Sequence, residues 1–362
     1  MTTGSHSVHV GHFGIGLETY WSQFPGLRER LEGYLGTIRT KIGNAEVISA
    51  GLVDSVEKAR DAATLFRTHD ADIVFLYVST YALSSTVLPA AKDVPVVVLN
   101  LQPANAIDYA RVNALGDHGT MTGEWLAFCQ ACAVPEIASV FLRAGIPFRQ
   151  VTGTLDDAEA WEEIHGWVEA ARVARTLAST RLGILGHYYN GMLDVYSDPT
   201  QISASFGTHI EHLEIGELVD LRREVTDEEA EKKGREFVAE FQVSPECPPA
   251  EITRAARTAC ALDRLVANRQ IGALAYYYEG SPGSEEEDVI TSVIAGNSLL
   301  TTRHVPVAGE CEVKNAMAIK IMDAFGAGGS FSEFYAMDFN DQVILLGHEG
   351  RGTSRSRKES RN

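Results

Sequence analysis

No run in the 362-residue sequence approaches the ~18 consecutive apolar residues of a membrane-spanning helix. That absence argues against an integral membrane protein. The opening stretch, Met1-Thr-Thr-Gly-Ser-His-Ser-Val-His-Val10, has neither the basic region nor the apolar core of a secretory signal. Cysteine is scarce and odd in number, five in all. This speaks against a disulfide framework and for a reducing, cytoplasmic compartment. Basic residues are also short, 31 Lys and Arg against 49 Asp and Glu, for a net charge of −18. Phosphate backbones are held by clustered cations, so nucleic acid is a poor partner for this chain. The sequence also lacks an internal repeat of fixed period.

What remains is ordinary globular material, 45% hydrophobic and 22% charged, so disorder is excluded as the main state. At about 100–200 residues per domain, this length implies two or three domains. Residues 1–177 alternate short apolar strands (8–13, 45–50, 73–78, 94–99) with amphipathic stretches (24–41, 54–68). The runs at 73 and 94 are continuous and β-branched, as strands buried on both faces are. Such alternation predicts a parallel sheet with helical crossovers, in an N-terminal α/β domain of Rossmann or flavodoxin type. Two further helices are predicted at 122–144 and 156–177. A second α/β domain restarts at Arg181 and spans 178–328, with strands at 181–186, 211–215 and 271–278 and a helix at 312–325. Strands at 330–338 and 342–348 form a short β stub, 329–350. A basic, wholly polar tail, 351–362, is expected to be solvated and disordered. The predicted fold class is α/β: two doubly wound parallel-sheet domains and the stub of a third.

Several motifs carry chemistry. Gly11-His-Phe-Gly14-Ile-Gly16 has the glycines of a ligand loop but not the order of a dinucleotide fingerprint. Cys129-Gln-Ala-Cys132 has redox spacing, but within a predicted helix it reads as a pair of buried structural thiols. Gly116-Asp-His-Gly119 reads equally as a helix cap or as a loop that offers His118 to a ligand. Glu310, in Gly309-Glu-Cys-Glu-Val-Lys314, Glu333 and His348 stand out together near the end. Two carboxylates and an imidazole suit a divalent ion such as Mn²⁺.

With these residues the sequence resembles the L-arabinose isomerase family, of the fucose/arabinose isomerase fold group. The resemblance runs over about residues 8–350. It is carried by 309–322, by Gly328-Gly-Ser-Phe-Ser-Glu-Phe-Tyr335 and by Leu345-Leu-Gly-His348. Weaker support comes from Asn100-Leu-Gln-Pro103, Gly116-Asp-His-Gly119, Asn190-Gly-Met-Leu-Asp-Val195 and Tyr278-Glu279. The resemblance implies an intramolecular oxidoreductase that converts an aldose to a ketose, L-arabinose to L-ribulose first, through an enediol. It implies Glu310, Glu333 and His348 as ligands of Mn²⁺ or another divalent metal. Glu310 and Glu333 would also move the protons. It further implies Glu18, Tyr20, His118, Met192 and Tyr278 as sugar-pocket residues, and a homo-oligomer, trimer or hexamer, with sites at subunit interfaces. A C–H beside a carbonyl is weakly acidic, so this chemistry needs a charge to stabilise the oxyanion and a paired base and acid.

The sequence departs from the family at its end. Family members continue into a mostly β third domain that supplies a fourth ligand, a histidine, and no histidine follows His348 here. For one GC-rich choice of codons, a one-base shift before Arg351 restores a family-like Pro-Gly-His. The expectation is therefore a chain truncated by a frameshift. The alternative function is an inactive relative that binds sugar or assembles with full-length subunits.

Overall fold

The computed structural model describes residues 7–91 and 94–348. The predicted tail, with Glu349 and Gly350, lies outside them. The chain divides into two compact units between Arg175 and Thr176.

The first unit is built on a five-stranded parallel sheet of order β2-β1-β3-β4-β5. Its strands are β1 His9–Ile15, β2 Glu46–Val53, β3 Ile73–Tyr77, β4 Val96–Gln102 and β5 Phe148–Thr154. Side chains alternate along a strand, so each continuous apolar run feeds two cores. Phe75, Tyr77, Val97 and Leu99 join Leu31 and Leu35 of helix α1 (Leu27–Lys41) on one face. Val74, Leu76, Val96 and Val98 join Ala59 and Phe66 of helix α2 (Val56–Thr68) on the other. This is the doubly wound arrangement that the sequence predicts.

Three local expectations change. The Gly11–Gly14 stretch is not a loop but the middle of β1. A Cβ on Gly14 would lie 2.7 Å from a Leu35 methyl, and one on Gly11 would lie 2.9 Å from Val74. Those two glycines serve close helix–sheet packing. The predicted helix 122–144 is two helices, α3 His118–Leu126 and α4 Val134–Ala144, with the two cysteines in the turn between them. Strand β5 is absent from the sequence reading because it is a polar edge strand, buried fully only at Val151.

The second unit has a four-stranded parallel sheet of order β7-β6-β8-β9. Its strands are β6 Arg181–Gly186, β7 His209–Leu213, β8 Ala273–Tyr277 and the two-residue β9 Val307–Ala308. Helix α5 (Pro249–Arg269) buries Ala261, Leu262 and Leu265 against Leu274 and Tyr276. Helix α6 (Val313–Ala324) packs on β8 and β9. Strands β10 Glu333–Asp338 and β11 Val343–Gly347 form an antiparallel hairpin in the same unit. The hairpin is open to solvent: Phe334, Met337, Ile344 and Leu346 are all more than half exposed.

Candidate functional site

Parallel sheets gather their loops at the carboxyl ends of the strands, where ligands bind. In the second unit those ends deliver 187–198 after β6, Tyr278-Glu279 after β8 and 309–312 after β9. Gly186 shapes the first of these. Its φ is +88°, and a Cβ there would sit 2.1 Å from the Tyr277 carbonyl oxygen. Only glycine fits, and the turn lets the His187 amide donate to that same carbonyl at 2.9 Å.

The loop after β9 is strained. Glu310 and Cys311 both have left-handed backbone, φ 54° and 57°, which costs a side-chain-bearing residue about 1–2 kcal/mol. Strand β8 and the loop after β6 hold the shape. The Cys311 amide donates to Tyr276 O at 3.1 Å, and the Tyr189 amide donates to Glu310 O at 3.3 Å. Lys314 donates to the Asp194 carbonyl and so ties this loop to the one after β6.

This turn aims Glu310 inward, its side chain 14% exposed, and His348 meets it, 11% exposed, with Nε2 3.4 Å from Oε1. The His348 ring packs edge-on against the buried Phe331, with ring centroids 4.8 Å apart. The other carboxylate oxygen, Glu310 Oε2, is buried without a hydrogen-bond partner. A buried carboxylate oxygen left unpaired is costly, and a cation or a proton donor relieves it.

Glu333 does not join them. It is exposed on β10, although its register sets it opposite Gly347, the neighbour of His348. Among the described residues, no three His, Cys, Asp or Glu side chains form a group able to hold a metal. The structure therefore brings together two of the three predicted ligands.

Tyr278 leans on the core under β8, with its ring 5.5 Å from that of His187. Tyr277, one residue earlier, points the other way. Its ring lies 4.5 Å from Tyr189, and its hydroxyl donates to Glu279 at 3.0 Å. Desolvation, then the Glu279 carboxylate, with smaller contributions from Tyr189 and Glu310, push its acidity down and its pKa up. Tyr189 and Tyr277 are residues of this candidate site that the sequence reading missed. The parity of β8, with Leu274 and Tyr276 in the core, would have found Tyr277. Met192 is half-buried and donates its amide to Tyr189 O at 3.4 Å.

A 114-residue stretch of the chain is similar, at 29% identity, to an L-arabinose isomerase of Nocardioides sp.. The match covers 32% of this chain and 23% of that protein. No family model matches the chain.

The other predicted residues, Glu18, Tyr20 and His118, lie in the first unit. Glu18 and His118 are exposed, and Tyr20 is half-buried with its ring edge-on to Phe24. Asp117 caps α3 by accepting from the Thr120 amide at 2.7 Å, so the loop at His118 does act as a helix cap. Phe24, Asp117, Gly119 and Thr120 line a cleft of about 380 Å³, with Arg30 and Glu124 paired at 2.9 Å on its wall. Among the described residues no helix is long and apolar enough to cross a membrane.

Proposed function

We propose that this protein is a metal-dependent aldose–ketose isomerase acting on a pentose, L-arabinose first, with its centre at Glu310 and His348. The observation that carries the reading is the pairing of these two side chains with Glu310 Oε2 buried and unpartnered. The 29% similarity to an L-arabinose isomerase supports the same reaction class.

A divalent ion such as Mn²⁺ would be held by Glu310 and His348, and Glu333 would complete the set from the hairpin opposite Gly347. Bound there, the ion would supply the positive charge that stabilises an enediolate oxygen. The chain's own residues do the rest. The Glu310 carboxylate takes the proton from C2, beside the C1 carbonyl, the C2 hydroxyl proton passes to the C1 oxygen, and Glu333 returns a proton to C1, which leaves the carbonyl at C2. Tyr189 and Tyr277 offer an aromatic wall for the sugar's C–H face. Homo-oligomerisation belongs to this proposal as well.

A second reading is favoured by the exposure of Glu333: a relative that binds sugar, or joins longer subunits, without turnover. Incubating the purified chain with a panel of aldoses, with and without Mn²⁺, separates the two. Metal-dependent ketose formation that Glu310→Gln abolishes supports the isomerase. No ketose from any sugar supports the inactive relative.

A further inference from the structure

Cys129 and Cys132 occupy the turn between α3 and α4 in the first unit. They are not the buried helical thiols that their spacing predicts: Cys132 is exposed and Cys129 half-buried. The turn is anchored at the carboxyl end of the sheet. The Gln130 side-chain amide donates to Ser79 O at 2.9 Å, and the Thr80 hydroxyl donates to Leu126 O at 2.8 Å. Ser79 and Thr80 follow β3, and the Ser79 hydroxyl donates in turn to Ile15 O at the end of β1. The strand order reverses between β1 and β3, so the dithiol sits at the switch point where open α/β sheets take ligands.

The two sulfurs are unequal. The Cys129 thiol donates to Trp125 O at 3.4 Å, and the Cys132 thiol donates to Cys129 O at 2.8 Å, which sets the Cys132 sulfur against the Cys129 backbone. The neighbouring Cys129 thiol first, against partial burial, and then the backbone at Cys132 and Ala133, against the charge of Glu136, pull the Cys132 thiol down to about 7. The Cys129 thiol moves up, first through the neighbouring Cys132 and then through burial. The Tyr20 hydroxyl lies within electrostatic reach of both.

We propose that Cys129 and Cys132 form a redox-active dithiol, with Cys132 the nucleophile and Cys129 the resolving thiol, oxidised to an intramolecular disulfide by small-molecule disulfides. The Cys132 thiolate attacks one sulfur of the external disulfide, forms a mixed disulfide and expels one thiolate. Cys129 then loses its proton, attacks the Cys132 sulfur and expels the second thiolate. Two protein thiols are oxidised, and one disulfide is reduced to two thiols. The proposal is independent of the Glu310–His348 site.

The test is treatment of the native full-length chain with oxidised glutathione, followed by thiol titration and peptide mapping. The expected result is loss of two of the five thiols, with the new disulfide joining Cys129 and Cys132. Cys129→Ser should stop at a glutathione adduct on Cys132, and Cys132→Ser should leave the turn unmodified. Alkylation of Cys132 in the untreated chain should reach half its maximal rate near pH 7, below the ~8.5 of an ordinary thiol. Five titratable thiols after treatment, a disulfide to another cysteine, or a Cys132 midpoint at the ordinary value would each overturn the proposal. The wild-type measurements need no variant, so a misfolded mutant leaves the test intact.

Discussion

Glu310, at the proposed metal centre, stands away from the stability optimum. It combines a left-handed backbone with a buried, unpaired carboxylate oxygen, and both features cost folding free energy. Glu310→Gly should therefore stabilise the second unit by about 1–2 kcal/mol, the strain of one left-handed residue. A higher urea midpoint is the expected reading, and a lower one would contradict it. His12 is the corresponding residue of the first unit. It sits in the middle of β1, wholly buried, with both ring nitrogens unpartnered. Burial first, and then the Arg39 charge, push its pKa down from 6.5 to about 4. Between those values the unfolded chain binds a proton that the folded chain refuses, so stability falls as pH drops from 6.5 to 4. The full loss is about 3 kcal/mol, because each tenfold drop in proton affinity on folding is worth ~1.4 kcal/mol. The change in unfolding free energy between pH 7 and 4.5 should shrink in His12→Leu, and an identical pH slope in the two proteins would refute the assignment.

At the scale of elements, β3 and β4 carry the first unit. Phe75 is wholly buried between strands and α1, so Phe75→Ala should cost about 3–5 kcal/mol in urea unfolding. A loss below ~1 kcal/mol would mean that this face is not the core. These strands are legible in the sequence because their apolar runs are continuous. So are the carboxyl-end loops that gather Glu310, since helix and strand alternate cleanly from Arg181 onward. The illegible elements share one physical reason, a weak hydrophobic signal. β5 buries little besides Val151, and β9 has only two residues. The break between α3 and α4 is hidden because 127–133 is rich in alanine and cysteine and carries no glycine or proline. At the site, Glu310 and His348 are legible from their motifs, whereas Tyr277 requires the facing of β8. The β10–β11 hairpin offers apolar side chains on both faces and open edges, a surface that self-associates or binds apolar dyes. Replacing Phe334 and Leu346, 73% and 61% exposed, by Lys should lower light scattering and dye fluorescence of the purified chain. Unchanged signals would show that the hairpin is not the sticky surface.

For the whole molecule, the net charge of −18 sets the long-range field. It repels polyanions, is indifferent to a neutral sugar and raises the local concentration of divalent cations. Two α/β units, each presenting loops at the carboxyl ends of its strands, hold the proposed metal centre in one and the proposed redox dithiol in the other. The centre at Glu310 and His348 is the claim on which the functional reading depends. Equilibrium titration of the full chain with Mn²⁺ tests it most directly, with Glu310→Gln and His348→Gln alongside. The account predicts one saturable Mn²⁺ per wild-type chain and at least tenfold weaker binding, ~1.4 kcal/mol, in each variant. Binding unchanged by either substitution would place the metal elsewhere and remove the centre proposed for the chemistry.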